Sequence, residues 1–450
     1  MLRSHIESFI KAAQVAAKQK NNPADTVSID GVFITPDGQY PTLGVERFAE
    51  VADFTKDRCT TYAIRVRLQP SIYFNKLVPF RDDLEFKMIT SSGTDRVIRE
   101  FVAVPIVDRD VRSESNNTAA TNLEALDVTE LVAYEFQLIE KGFARIKNVP
   151  VGGIYPMGTP DAAIMNILER KTQELNIPGY DRYKGMYMHL PIDNTNKYRQ
   201  IVVPGGTRMI DLPGILQNHP EYGVYTKGLG CFYKQNYWWI YPLFNVNLVD
   251  NHPRPVDIIR VPQNKIPTLD ATFYKSDTSM TIIATGTSEH EDGADIRKQN
   301  DGVGKRVIMA DAVAGDTGYH YNNGRAVTTR ADKLQEYKLS DRRDGEEWIP
   351  IDRTPTGNVC KPLSENAMNE GEVVVVEWQN GDIGYLEPGQ PVRFQYMYND
   401  NEMMTRRGVL LGYRSDYKAI TGYARPVLKR TTVLHIFLKR QAKYKAEPQQ

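Results

Sequence analysis

The stretch TYAIRVRL, residues 61–68, puts Tyr62, Ile64, Val66 and Leu68 on one side of the chain and Ala63, Arg65 and Arg67 on the other. A period of two fits a pleated strand with one dry face and one wet face, and a helix cannot present it. The pattern returns along the chain. VSIDGVFIT at 27–35 alternates, and Leu84, Phe86 and Met88 alternate against Glu85 and Lys87 after the polar pair Asp82-Asp83. Further strands are expected at 96–106 and 130–147, on either side of a Ser/Asn/Thr-rich loop around 113–122. Several such strands with turns between them predict a compact barrel or sandwich near residues 25–150. Ahead of it, Ile6, Phe9, Ile10, Ala13 and Ala17 recur at helical spacing, so 2–20 reads as an amphipathic helix and not as a targeting segment.

The middle of the chain changes period. DAAIMNILERKTQEL (161–175) sets Ile164, Ile167, Leu168, Lys171 and Leu175 on one stripe, with Asp161 as its expected N-cap and Pro178 just past its end. MIDLPGILQN (209–218) is a shorter helix, weakened by Pro213 and Gly214. Two aromatic-rich strands then fill 223–245, joined near Lys234-Gln235-Asn236. Helix, helix and hairpin make a small α+β module.

Strand patterns resume at 256–261 and 271–285, and again at 371–378, 391–398, 406–415 and 427–440. Between 286 and 370 no period is visible, and so long an aperiodic section is either functional or an irregular insertion. The expected architecture is therefore mainly β with α+β elements: two antiparallel β-barrel-like domains, the second discontinuous, flanking the module. Its boundaries are 1–155 for the N-terminal helix and first barrel, and 156–245 for the module with its aromatic hairpin. The second barrel takes 246–285 and 371–440, around the 286–370 insertion, and 441–450 is a polar tail. The insertion is expected to contact a neighbour. Arg342-Arg343 and Arg406-Arg407 read as solvated charge or interchain ion pairs.

Composition narrows the function. With 56 basic and 56 acidic residues the formal net charge is zero, which excludes a global electrostatic grip on phosphate. Tyr outnumbers Phe 25 to 15, in keeping with surfaces that are half dry and half wet. No apolar run approaches the roughly 18 residues a membrane helix needs. Cys59, Cys231 and Cys360 are odd in number and far apart, so no disulfide framework is implied and a reducing compartment is expected.

Motifs for chemistry fail one by one. The seven histidines and three cysteines lack any zinc spacing, and no acidic stretch follows the calcium-loop order, so no metal or cofactor is expected. GVGKR (302–306) looks like a phosphate loop but has Gln299 where the first Gly belongs and Arg306 where Ser or Thr is required. GLG (228–230) runs on to Tyr233 instead of a third Gly. No GxSxG elbow occurs, and 56 acids do not single out a glycosidase pair. The aromatic run Phe232, Tyr233, Tyr237, Trp238, Trp239, Tyr241 and Phe244 reads first as a hairpin packed on helix 161–175, and second as a sugar- or base-stacking platform.

PEYGVYTKGLGCFYKQNYWWIYPLFN (220–245) resembles the segment of contractile-tail bacteriophage baseplate hub proteins in which a Tyr-Gly turn leads into a Trp/Tyr hairpin. The residues that carry the likeness are Tyr222, Gly223, Lys227, Gly228, Gly230, Tyr233, Trp238, Trp239, Tyr241, Pro242 and Phe244. The patterns at 62–89 and 256–275, with GVLLGYRSDY and VLHIFLKR near the end, extend it over most of the chain. The resemblance implies a structural virion protein and not an enzyme. It implies a homotrimeric ring of two-barrel subunits that adapts a sixfold tail tube to a threefold spike and leaves a channel for DNA. Its partners would be the tube or tube-initiator protein, the central spike and neighbouring baseplate proteins, with DNA only in transit and no membrane insertion. It would be assembled in the host cytoplasm and reside in the virion tail. A distal tail or other tail-tip protein and a tail-associated peptidoglycan hydrolase are the alternatives.

Overall fold

In the computed structural model the described residues are 26–92, 95–106, 131–190, 192–250, 252–260, 273–275, 280–284, 288–292, short pieces within 309–338, 358, 360–368, 371–399, 402–420 and 427–439. The expected helix at 2–20, the loop at 113–122, Arg342-Arg343, the tail and much of the insertion lie outside them.

Alternation becomes strand wherever one face finds a core. The first strands are β1 (Val27–Thr35), β2 (Gly38–Pro41), β3 (Gly44–Asp53), β4 (Thr61–Leu68), β5 (Glu85–Ser92), β6 (Asp95–Pro105) and β7 (Val132–Glu140). A helical stretch from Pro70 to Phe80 separates β4 from β5. The strand expected over 130–147 stops at Glu140. Lys141–Ile146 is helix α1, because Phe143 and Ile146, three apart, both bury.

Next come the ribbon strand β8 (Pro150–Gly158), helix α2 (Pro160–Glu174), β9 (Gly185–Met188), β10 (Tyr198–Arg208) and helix α3 (Leu212–Asn218). Helix α2 starts one residue early, with Pro160 in its first turn and Thr159 at the N-cap position, so Asp161 is a first-turn acid and not the cap. The hairpin strands are β11 (Leu229–Lys234) and β12 (Tyr237–Pro242). Then follow β13 (Val256–Arg260), β14 (Phe273–Lys275), β15 (Met280–Ala284) and β16 (Ser288–Asp292). Six short strands pair two by two: β17 (Met309–Ala310) with β18 (Thr317–Gly318), β19 (His320–Asn322) with β20 (Arg325–Val327), and β21 (Thr329–Asp332) with β22 (Gln335–Lys338). Helix α4 (Cys360–Ala367) and strands β23 (Gly371–Gln379), β24 (Pro391–Asn399), β25 (Glu402–Ala419) and β26 (Val427–Lys439) complete the order.

The large sheet is mixed and closes on itself over part of its length. Going round, β3 pairs with β4, β4 with β7, β7 with β6, β6 with β5, β5 with β1, β1 with β26, β26 with β25, and β25 with β3 again. The contact of β1 with β26 is brief: Val27 opposite Leu428 and Ser28 opposite Val427. Inside the ring Phe33 lies 4.7 Å from Phe86 and 4.6 Å from Phe136, ring centre to ring centre. Val66, Phe101 and Leu428 are buried beside them. Each such side chain contributes about 1.5–3 kcal/mol of burial.

Two ring strands, β25 and β26, come from the far end of the chain and also belong to the second half of the sheet. The first half of β25 pairs with β24 and its second half with β3. Beyond β24 lie β13, β15 and β14, and beyond β26 lie β23 and β16. Strand β13 runs parallel to both β15 and β24, so this half is mixed and not purely antiparallel as expected. No tight turn forces antiparallel pairing between β13 and β24, whose facing residues Asp257 and Arg393 are 136 positions apart. They form a two-pronged ion pair at 2.6 and 2.9 Å. The core here includes Ile258, Ile282, Val374, Trp378, Phe394 and Ile436.

A third core belongs to the module. Ile164, Ile167 and Leu168 of α2 pack with Leu212 and Leu216 of α3, and with Val151, Ile201 and Val203 of the β8–β10 ribbon. No described helix is long and apolar enough to cross a membrane.

Candidate functional site: a hairpin wedged between two cores

The β11–β12 hairpin turns at Gln235 and Asn236, both with positive φ (53° and 69°), the geometry of a two-residue hairpin turn that matches strand twist. Asn236 is fixed in that turn by donating from Nδ2 to the Tyr180 carbonyl at 2.7 Å. With a side-chain period of two, the hairpin has two faces, and both are covered. Cys231, Tyr233, Trp238 and Ile240 enter the module core, while Phe232 and Tyr241 enter the core of the second sheet half.

Trp238 has no exposed surface, and its indole N–H donates to Thr172 Oγ1 of α2 at 3.0 Å. Tyr233 meets it edge-on at 5.1 Å. This is the packing on helix 161–175 expected from sequence, and it removes Trp238 as a stacking platform. Trp239 faces the other way, half-buried, stacked on Tyr187 at 4.5 Å. Tyr241 is buried with its ring lying over Gly230 and Gly389, neither of which has room for a Cβ. Pro242 closes β12 opposite Leu229. Gly228, at φ 81°, and Lys227 accept from the backbone N–H groups of Leu243 and Phe244, both at 2.9 Å. Phe244 then meets Phe437 of β26 edge-on at 5.0 Å.

The Tyr-Gly turn is held as firmly. Tyr222 stacks on His219 at 4.1 Å and donates from its hydroxyl to the Gln200 carbonyl at 3.0 Å. Gln217 Oε1 accepts from the N–H groups of Val224 and Tyr225, and its Nε2 donates to the Tyr225 carbonyl. Gly223 abuts Asn358 and Cys360, leaving no space for a side chain.

Two polar residues that sequence reasoning did not single out as site residues lock this wedge. Lys234, 6% exposed, donates from Nζ to the carbonyls of Ile383 and Leu386 at 2.9 and 2.6 Å, and lies 5.0 Å from the Tyr413 ring centre. Burial pulls its amine down to about 8, against the raising effect of Glu50 and Glu140. The charge alternation at the hairpin tip marks Lys234 only as polar, so its burial is unreadable locally. Asn358 lies within the aperiodic insertion, where one Asn carries no signal.

Around Lys234 the ring end is polar inside. Glu50, 3% exposed, pairs with Arg99 at 3.2 Å. The Tyr62 hydroxyl donates to Glu140 at 2.5 Å, and Thr60 and Tyr413 share a hydrogen bond at 3.2 Å. Burial raises the Glu140 carboxyl, offset in part by Tyr62 and Arg99. Burial also opposes the Arg99 charge, yet Glu50 and its neighbours hold that guanidinium above its ordinary value. These carboxylates are tied to partners in the interior, and the arrangement fastens strands instead of offering an open acid–base pair. Arg406 is buried too, paired with Glu372 and donating to the Lys439 carbonyl, so its reading as solvated charge is corrected. Arg407 is exposed and pairs with Asp250 at 2.8 Å. Among the described residues no group of three or more His, Cys, Asp or Glu is placed to hold a metal ion.

No protein-family model matches the chain, and no curated protein matches it. Its structure is similar to those of phage tail proteins. The 43 kDa tail protein of prophage MuSo2 from Shewanella oneidensis superposes over 92% of this chain and 100% of its own, with 7% identity and a TM-score of 0.45. A tail protein from Neisseria meningitidis MC58 covers 91% of this chain and 96% of its own, with 8% identity and a TM-score of 0.44. An E. coli type VI secretion component, described as structurally similar to the T4 bacteriophage tail proteins gp27 and gp5, covers 91% of this chain and 77% of its own, with 8% identity and a TM-score of 0.40.

Proposed function

We propose that this chain is a structural subunit of a contractile-tail baseplate hub. Three copies form a ring that receives the tail tube on one face and seats the central spike on the other, leaving a channel through which DNA passes. It acts without a cofactor and without catalysis, and it resides in the virion tail after assembly in the host cytoplasm. Its two β-units, expected from sequence at 1–155 and at 246–285 with 371–440 and sharing strands β25 and β26, offer two related surfaces per subunit. Three subunits then present approximate sixfold geometry to the tube.

One observation carries the reading. The segment at 220–245 that resembles hub proteins is a wedge buried on both faces, so its residues serve architecture and not a surface reaction. Zero net charge fits a subunit that packs against copies of itself, because it adds no overall repulsion.

Native mass spectrometry of the purified chain, alone and with its spike partner, tests the assembly. A threefold oligomer at micromolar concentration is expected. A strictly monomeric protein under both conditions overturns the ring. Three copies per intact tail separate the hub from a distal tail ring, and clearing of peptidoglycan in a gel assay would restore the hydrolase.

A further inference from the structure

Two imidazoles meet where the module touches the second half of the sheet. His189, directly after β9, stacks on His252 at 5.7 Å with 26° between the ring planes. They belong to different bodies of structure. His189 is tied to the module: its N–H donates to the Ile240 carbonyl at 2.8 Å and its own carbonyl accepts from the Tyr225 hydroxyl at 2.6 Å. His252 follows a short helical turn, Val246–Asp250, whose Val246 lies in the core of the second sheet half and whose Asp250 pairs with Arg407 of β25.

The hydrogen bonding of His252 fixes which form of the ring fits. Its ring Nδ1 accepts the backbone N–H of Arg254 at 3.1 Å, while the His252 backbone N–H donates to the Leu248 carbonyl at 3.0 Å and holds the residue in the turn. An accepting Nδ1 carries no proton, so charging the ring expels the Arg254 N–H and breaks the turn. The charged groups acting on the pair do not compensate. His189 feels the His252 ring, and His252 feels the Arg254 guanidinium. The neighbouring carboxylates along the two segments are engaged elsewhere, Asp193 by the Thr226 N–H and hydroxyl, and Asp250 by Arg407.

We propose that this imidazole pair is an acid-released joint between the module and the second half of the sheet. Neutral rings stack and close the Arg254 turn, whereas protonated rings repel and open it. Burial holds both imidazoles below their ordinary value of 6.5, and for His189 the facing ring adds to this. The unfolded chain then binds protons before the folded one, so stability is lost as pH falls below 6.5.

Two measurements test the joint. Exchange of the imidazole C2 hydrogens, followed by mass spectrometry on the unmodified protein, reports each histidine separately. Midpoints below the ordinary value for both His189 and His252 are expected, and a midpoint at or above it for either overturns the proposal. Backbone hydrogen exchange, corrected for its intrinsic pH dependence, is then compared at about pH 7.5 and about pH 5.5. Peptides holding His189 and His252 should lose protection by about threefold or more at the lower pH. In the double variant H189Q/H252N that loss should vanish, since Asn at 252 keeps an acceptor for the Arg254 N–H but does not titrate. A variant that loosens as much as the parent overturns the joint. If the variant does not fold, the C2 exchange of the unmodified chain decides.

Discussion

Asn358 and Gln217 are 141 positions apart in the chain, and the Asn358 amide donates to the Gln217 carbonyl at 2.9 Å. The same Nδ2 donates to the His219 carbonyl at 2.6 Å, while Oδ1 accepts from the N–H groups of Cys360 and Lys361. One side chain thus caps the first turn of α4 and binds it to the end of α3.

Separating those two jobs gives a prediction. Asn358→Asp keeps the cap but sets a carboxylate oxygen against the Gln217 and His219 carbonyls, and should cost about 3–5 kcal/mol as a buried charge without a partner. Asn358→Ala loses the cap and the donor without adding that charge, and should cost about 2–4 kcal/mol. Urea denaturation of both variants checks the order at neutral pH. A smaller loss for Asp than for Ala would show that the carboxylate is relieved and that the cap dominates.

Gly223 should tolerate no side chain. Gly223→Ala places a methyl group against the Asn358 amide and the Cys360 Cβ, and an overpacked site of this kind costs about 1–3 kcal/mol. Gly205, which has nothing within 4 Å of a built Cβ, is the control, and there alanine should change the denaturation midpoint little.

Lys234 should give the protein a distinctive alkaline profile. Its folded value near 8 lies below its ordinary 10.5, so between these the unfolded chain holds the proton more strongly. Stability attributable to this group therefore rises with pH above about 8, by at most about 1.4 kcal/mol per pH unit. Lys234→Met should flatten that rise between about pH 8 and pH 9.5 in denaturation curves. An unchanged slope in the variant would assign the rise to other groups.

Asp181 works in the opposite direction. Burial, then the charges of Glu100 and Glu140, raise its carboxyl to about 6 from 3.8. The folded chain keeps this proton longer, so the stability it contributes is present below 3.8 and lost as pH rises through about 6. Asp181→Asn should stabilise the protein at neutral pH by about 1 kcal/mol, after allowance for solvent screening at a half-buried site. At about pH 4 the gain should disappear.

Thr172 supplies the acceptor for the buried Trp238 indole. Thr172→Val keeps the volume but orphans that N–H, and should cost about 1–3 kcal/mol. Chemical denaturation of both proteins, followed by circular dichroism, checks the loss.

The strands were legible where alternation or a β-branched run was strong: TYAIRVRL and GEVVVVEW appear as β4 and β23 with little shift at their ends. The ribbon β8–β10 was not, because PVGGIYPMG is rich in Gly and Pro and holds no regular period. Helix α1 hid behind the alternation that precedes it, since KGFARI is too short to show its own. The hairpin and its packing on α2 could be read from aromatic spacing. What made it a two-sided wedge could not, because Lys234 and Asn358 act on carbonyls brought near only by the fold. The ring closure was illegible for the same reason, as strand pairing between distant segments leaves no local trace.

That closure sets an order on how the molecule can form. Arg47 of β3 and Asp416 of β25 form an ion pair across 369 positions of chain, in a register shared by both strands. During synthesis β1 and β3 therefore emerge with one edge each unsatisfied and must wait for the last strands to cover them. Such distant pairing makes folding slow and leaves exposed edges for a long interval. The first half of this protein is thus hostage to its second, and a ribosome that stalls before β25 releases an open, aggregation-prone sheet in place of a finished unit.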